Sequence, residues 1–295
     1  MAFLLKKLFA GIKKDNTKRV SLIFLFLSIS YGKTNTGLYY YHDIDFQLNN
    51  LGIASSAILY FQKPLFNTEN ILLKDTKIWS GPIIQASPTD VLLGIYLRFK
   101  PLSIFEVKVF GGRYFIFNQF GNFSGIKGLG YIPLNNISSE YDAETLSKIE
   151  SSNKSGIWIR TKPVLQAQYK FIAFKTQFEI DYFNIDSPDE FYLNQQLSCR
   201  FKNNSVSLAN TSFLLCEFSK NKYAGLYNYL YRNSGSDLKK HRVGITALFS
   251  GNILNGNNEY FLTAIAGYIL KDDNFRNKPY IAISTGLIFN LWNSR

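Results

Sequence analysis

The chain is written in a two-residue rhythm that is clearest near its end. From Lys278 to Trp292, Ile281, Ile283, Thr285, Leu287, Phe289 and Leu291 occupy one parity, and Ala282, Ser284, Gly286, Ile288 and Asn290 the other. Successive side chains of a strand point to opposite faces, so this is a strand with one large apolar face and one small or polar face. The rhythm recurs upstream. Asp90–Lys100 sets Val91, Leu93, Ile95, Leu97 and Phe99 against Gly94, Tyr96, Arg98 and Lys100. Gly156–Lys170 sets Ile157, Ile159 and Leu165 against Arg160, Lys162, Gln166 and Lys170. Ala173–Asp186 sets Phe174, Phe178, Ile180 and Tyr182 against Lys175, Gln177, Glu179 and Asp181. Further segments at 36–46, 53–63, 77–87, 104–117, 206–219, 222–233, 241–251 and 258–271 bring the count to twelve. Reading Glu190–Phe201 as a strand as well would force fourteen, and Gly111-Gly112 reads as a bulge that re-phases its strand around Arg113.

Strands of a dozen residues are long for a sandwich, whose strands average five or six, and a barrel accommodates them. The expected fold class is therefore all-β: a transmembrane antiparallel up-and-down β-barrel of about twelve strands, with an N-terminal signal segment. Its apolar face would meet lipid and its polar face a lumen. The connections agree. Those at 101–103, 170–173, 220–222 and 252–257 are short and fall on one side, whereas 118–155 and 187–205 are long and fall on the other, external side. Tyr260 and Tyr268 share a face roughly 27 Å apart at strand rise, matching two aromatic girdles around an apolar band. In the longer loop, Asp142 is placed to cap a helix over 143–150; whether that loop enters the lumen is open.

Composition sharpens this. The chain is 46% hydrophobic and 16% aromatic but only 18% charged, with a mean hydropathy of −0.07. No run of 18 apolar residues exists, so a spanning helix is excluded. Residues 1–32 read as a signal peptide: a basic segment ending at Lys18-Arg19, an apolar run Val20–Ile29, and small residues Ser30 and Gly32 where cleavage is expected. The mature chain, 33–295, is then one barrel domain, exported to the outer membrane. Residues 1–32 contribute +5 of the formal charge of +12. Without Lys6, Lys7, Lys13, Lys14, Lys18, Arg19 and Asp15, the 33 basic and 21 acidic residues fall to 27 and 20, a formal +7. No compact basic motif points to nucleic acid. Cys199 and Cys216 fit no zinc or redox spacing and read as free thiols or loop residues.

The candidate chemistry is the charge on the inner face: Asp43, Asp45, Arg98, Lys100, Glu106, Lys108, Arg160, Lys162, Lys170, Lys175, Glu179, Asp181 and Arg242. Such a set either lines a polar pathway that selects solutes or forms a network that plugs a narrow barrel. Histidine is nearly absent, with only His42 and His241. Neither has a serine close by in sequence, so a membrane-embedded acyl hydrolase is the third reading, behind a small porin-like channel and a plugged structural or adhesin-like barrel acting through its external loops. No P-loop, dinucleotide fingerprint or metal-spaced cluster appears, and neither cofactor nor metal is expected.

Ser284-x-Gly286-x-x-Phe289-x-Leu291 is similar to the terminal signal of Gram-negative outer-membrane β-barrel proteins, although four residues, Trp292 to Arg295, follow Leu291 here. With the signal segment and the alternating strands, the whole mature chain resembles that class in architecture. The resemblance implies outer-membrane lipid and the barrel-assembly machinery as partners, with small polar solutes as cargo. It says nothing of oligomeric state.

Overall fold

The computed structural model describes residues 36–48, 52–66, 68–73, 75–118, 130–135, 149–194, 197, 199–233, 239–253, 258–272 and 277–293. Its strands are β1 (Gly37–Leu48), β2 (Gly52–Pro64), β3 (Lys77–Ala86), β4 (Asp90–Leu102), β5 (Phe105–Ile116), β6 (Lys154–Tyr169), β7 (Ile172–Ile185), β8 (Phe191–Asn194), β9 (Cys199–Lys202), β10 (Ser205–Ser219), β11 (Lys222–Asn233), β12 (Lys239–Ile253), β13 (Asn258–Lys271) and β14 (Pro279–Asn293). Twelve of them form a closed antiparallel barrel in which each strand pairs with its sequence neighbours, apart from the step from β7 to β10. Closure runs through β1 and β14, from Gly37 opposite Asn293 to Leu48 opposite Ile281, so no strand edge is left open in this sheet.

The alternation predicted from sequence sets the two surfaces. Outward positions carry exposed apolar side chains such as Ile95 (55%), Phe178 (52%), Leu226 (59%) and Ile245 (64%). Ile281 and Ile283 of the last strand are on this surface too, and so are Tyr260 and Tyr268. Inward positions hold the charges and most of the buried aromatics. At one end of the barrel the turns 103–104, 170–171 and 220–221 are two residues long, and Lys170 (φ 53°) and Asn221 (φ 60°) take the left-handed conformation there.

Three expectations change. Glu190–Phe201 is neither a single strand nor part of the barrel: β8 and β9 form their own two-stranded sheet within the β7–β10 connection. The two alternatives of twelve and fourteen strands are thereby reconciled. Gly111-Gly112 is no bulge, since the β5 register runs unbroken past it on both sides. Gly112 faces Gly94 directly, and a Cβ built on Gly112 would meet the Leu93 carbonyl oxygen at 2.0 Å. With the parity kept, Arg113 points outward at the long-loop end and bonds Asp186 and Ser155. Replacing Gly112 with valine is expected to lower the yield of heat-resistant, compact barrel on gels, because backbone rather than a movable side chain blocks the new methyls. Lastly, Lys170 sits on a turn rather than inside the lumen. The signal segment, including its Gly32 boundary, lies outside the described residues, as does the helix expected over 143–150 up to residue 148; Ile149 and Glu150 are not helical.

Candidate functional site

The interior is divided by height and by wall. Aromatic residues of β2–β7 fill the inner face in one buried cluster, from Tyr60 and Trp79, level with Arg98, through Tyr96, Phe110 and Trp158 to Tyr114 and Phe183 toward the long-loop end. Two pieces of the long connections fold into this cluster. Tyr131, from the 117–153 connection, stacks on Tyr192 of β8 at 5.4 Å, and Phe201 of β9 meets the ring edge of Phe183 at 5.2 Å. All three side chains are essentially inaccessible. The Tyr192 hydroxyl accepts from Asn194 Nδ2 (3.3 Å), and burial holds its phenol well above the ordinary range, so it stays neutral. The hairpin also reaches the far wall. Cys199, a free thiol, lies 3.7 Å from the Tyr231 hydroxyl, and Lys240 Nζ donates to the Leu197 carbonyl (2.9 Å) while pairing with Asp272 (3.2 Å). The mouth at this end is therefore spanned by an apolar plug fastened to β5–β7 on one side and β11–β12 on the other.

Below the plug lies the charge. Arg98, Lys108 and Lys162 are in register on β4, β5 and β6, which sets like charges directly opposite one another. Carboxylates hold the row together. Glu106 accepts from Arg98 Nη2 (2.5 Å) and pairs with Lys108 (3.2 Å), and Glu179 pairs with Lys162 (3.1 Å). Arg160 forks onto Asp181 through Nε (2.5 Å) and Nη2 (3.0 Å), and Trp158 Nε1 donates to the same carboxylate (2.8 Å). Arg160 further approaches Glu179 at 3.5 Å and lies over the Trp158 ring at 4.8 Å. This geometry satisfies Arg160 and Asp181 completely and makes them an anchor rather than a lining.

Other predicted residues are placed differently. Lys175 projects inward from β7 with no hydrogen bond or ion pair to any described residue. Asp43 accepts from the Tyr41 hydroxyl (2.6 Å) and the Ser56 amide (3.0 Å), while Asp45, two residues on, is on the inner face and exposed. Lys100 stands near the short-turn end, 4.0 Å from Asp75. Arg242 lies over Tyr280 (4.5 Å) and Tyr229 (5.2 Å), a stacked cation on the β12 wall. Lys170 lies over the Tyr169 ring at the rim. Of the terminal motif, Ser284 and Gly286 face inward and Phe289 and Leu291 outward. Phe289 stacks on Tyr40 across the closure, and Gly286 leaves room for the Phe261 ring, which a Cβ would meet at 2.3 Å.

The wall facing the charged one alternates small and large side chains. Gly244 and Thr246 of β12, Thr263 and Gly267 of β13, and Ala282, Ser284 and Gly286 of β14 share the inward parity with Phe261, Ile265, Ile269 and Tyr280, and Ile265, Ile269 and Tyr280 pack with Phe213 and Tyr227 into a second apolar cluster. Ser284 is in register with Asp45. Pattern reading, which weighed charges, did not single these small residues out.

The two histidines are on the outer surface. His42 Nε2 is 2.9 Å from Ser55 Oγ, a serine–histidine pair joined in space across β1 and β2. Asp43, next in sequence, points to the opposite face, and among the described residues no carboxylate is hydrogen-bonded to the other ring nitrogen of His42, so these residues do not make up a catalytic triad. Among the described residues, no group of three or more His, Cys, Asp and Glu is arranged to hold a metal.

A closed sheet with apolar side chains over most of its outer circumference and charges within is suited to lipid outside and polar matter inside. The chain is an outer-membrane-type β-barrel. Comparisons with solved structures return similar chains at low identity and with TM-scores below 0.5. The beta domain of the Bordetella autotransporter BrkA aligns over 88% of this chain and 100% of its own, at 10% identity and a TM-score of 0.48. The translocator domain of autotransporter NalP from Neisseria meningitidis aligns over 93% and 95%, at 10% identity and 0.41. An outer membrane channel from Pseudomonas putida F1 aligns over 89% and 97%, at 11% identity and 0.38. No family model and no curated protein matches the chain.

Proposed function

We propose that this barrel is a channel for small polar solutes, with a preference for anions, whose outer mouth is closed in the state described here. One observation carries the reading: Lys175, with no hydrogen bond or ion pair to any described residue, stands on a wall whose cations outnumber its carboxylates. On β4–β7, Arg98, Lys108, Arg160, Lys162 and Lys175 outnumber Glu106, Glu179 and Asp181, and the carboxylates are all engaged. A network built solely to plug the barrel would pair this lysine too. Side-chain exposures of 28% for Lys108 and 23% for Lys162 also leave these groups reachable from the lumen. Because the described parts of the two long connections bury their apolar residues inside the mouth, they favour a gated passage over an adhesive surface.

Planar-bilayer recording of the refolded protein tests this, beside a variant lacking the β8–β9 hairpin. Openings with an anion-biased reversal potential are expected, and Lys175→Glu should move that potential toward cation preference. Flat current at every voltage in both proteins would remove the channel reading, and a reversal potential untouched by Lys175→Glu would remove Lys175 from the pathway.

A further inference from the structure

A side chain that faces hydrocarbon has no water to bond, so a polar group there must find a protein partner or lose several kcal/mol of order-of-magnitude solvation. Most of the outer surface obeys this by being apolar; on β4, for instance, Val91, Leu93, Ile95, Leu97 and Phe99 point outward in succession. The face formed by β7, β10, β11 and β12 departs from it. Thr176, Asn210, Ser212, Asn228 and His241 all take the outward parity, with Phe174, Leu214 and Leu226 toward one membrane surface and Phe178, Leu208 and Leu230 toward the other. Ser212 is in register with both Thr176 and Asn228, so the polar groups form a continuous patch across neighbouring strands.

Part of the patch is internally satisfied. Thr176 Oγ1 and Ser212 Oγ are 2.9 Å apart, Ser212 donates to Asn210 Oδ1 (2.9 Å), and Asn210 Nδ2 donates to Thr176 Oγ1 (2.9 Å). Asn228 Oδ1 and His241 Nε2 are 2.9 Å apart. The remainder is not. The Asn228 amide nitrogen, with two N–H donors, and His241 Nδ1 have no partner among the described residues, while Asn210 Oδ1 retains an unused lone pair. Next to them the surface dips into a cleft of about 310 Å³ lined by Phe174, Ser212, Leu214, Leu226, Asn228 and Val243, and Ile245, 64% exposed, stands beside it.

We propose that this face is the contact between two copies of the barrel lying side by side in the membrane, related by a two-fold axis between Asn210 and Asn228. An isologous contact requires that one patch supply both halves of every interaction. This one carries an unused amide donor beside an unused amide acceptor, and a projecting isoleucine beside a cleft. A partner of different chemistry needs only one half of each. In a bilayer, where apolar contact alone gives helices or barrels little reason to associate, small and amide-bearing side chains supply the attraction.

The test uses the whole protein refolded into lipid vesicles at high dilution. The outward thiol Cys216 is first replaced by alanine; Asn228→Cys or, as a control on the β14 outer face, Ile283→Cys is then introduced and oxidised. Asn228→Cys is expected to give a covalent dimer and Ile283→Cys none. In the otherwise native protein, single-molecule photobleaching should show two steps per spot. The double variant Asn210→Leu, Asn228→Leu should show one step while keeping heat-modifiable gel mobility, the sign that the barrel itself is intact. Single-step bleaching of the native protein, or equal cross-linking at both cysteines, would overturn the proposal; a monomer in pure lipid also means that any partner of this face is another protein.

Discussion

Removing residues 189–203 and bridging the gap with a short Gly-Ser linker is expected to raise single-channel conductance severalfold and to abolish long closed times. The β8–β9 hairpin places Tyr192 and Phe201 in full burial against Tyr131 and Phe183, inside the ring of inner-wall strands. No barrel strand is lost, because β7 pairs with β10 directly. A gentler version leaves the chain length unchanged. Phe201→Ala deletes a buried ring, which costs about 3–5 kcal/mol of docking free energy. Opening set by hairpin release should then become frequent while the fully open current stays that of the parent. If deletion leaves conductance and closed times as they were, the hairpin does not obstruct the pathway. Lys240→Ala is a weaker probe of the same device, since it frees the Leu197 carbonyl but also removes the ion pair to the buried Asp272.

The second large effect concerns stability. Asp181→Ala is expected to cost about 3–5 kcal/mol, the range for breaking a buried ion pair by removing one partner. Asp181 and Arg160 have side chains only 2% and 11% exposed. Without the carboxylate, the guanidinium keeps Glu179 at 3.5 Å as its remaining ion-pair partner, and the Trp158 N–H loses its acceptor. Arg160→Leu with Asp181→Leu should restore much of the loss, since it leaves no uncompensated charge. Urea unfolding in lipid vesicles, followed by heat-modifiable mobility, measures both. A single Asp181 variant as stable as one altered at the exposed Glu259 would show that the network does not brace the wall. For the same reason Arg160→Glu is a poor reporter of ion preference, and Lys175 is the better one.

The strands were legible because a period of two survives even where individual positions are weak. Asn258–Lys271 is read with the same ends as β13, and Asp90–Lys100 falls two residues short of β4. The hairpin was not legible. FYLN and CRFK are four residues each, too short for a period of two to stand out, and FYLN buries side chains of both parities. Gly111-Gly112 misled because a glycine pair signals a bulge in most sheets, whereas here Gly94 and Gly112 let two backbones approach. Each predicted charge but Lys170 takes the inward parity of its strand, but their pairing was hidden. Which carboxylate meets which cation depends on register between strands, and Lys175 is left without an ion pair among the described residues. The outer polar patch was invisible for a related reason: Thr176, Ser212 and Asn228 each look like a single lapse in an apolar row until three strands are laid side by side.

The closure of β1 on β14 has a consequence for timing. Tyr39 donates to Asn293 across 254 positions of chain, and Tyr280 to Gln47 across 233. Every other barrel neighbour is reached through a local connection, so hairpins can zip early, but this join brings together the two most distant strands and carries the largest loop-closure entropy. Until β14 is available, the growing sheet exposes one unpaired row of amides and carbonyls along β1 and another along its newest strand. Those two rows are sticky to any other strand in reach. The step that decides between a finished barrel and an aggregate is therefore the last one, and it comes when the fifteen residues of β14 pair with β1.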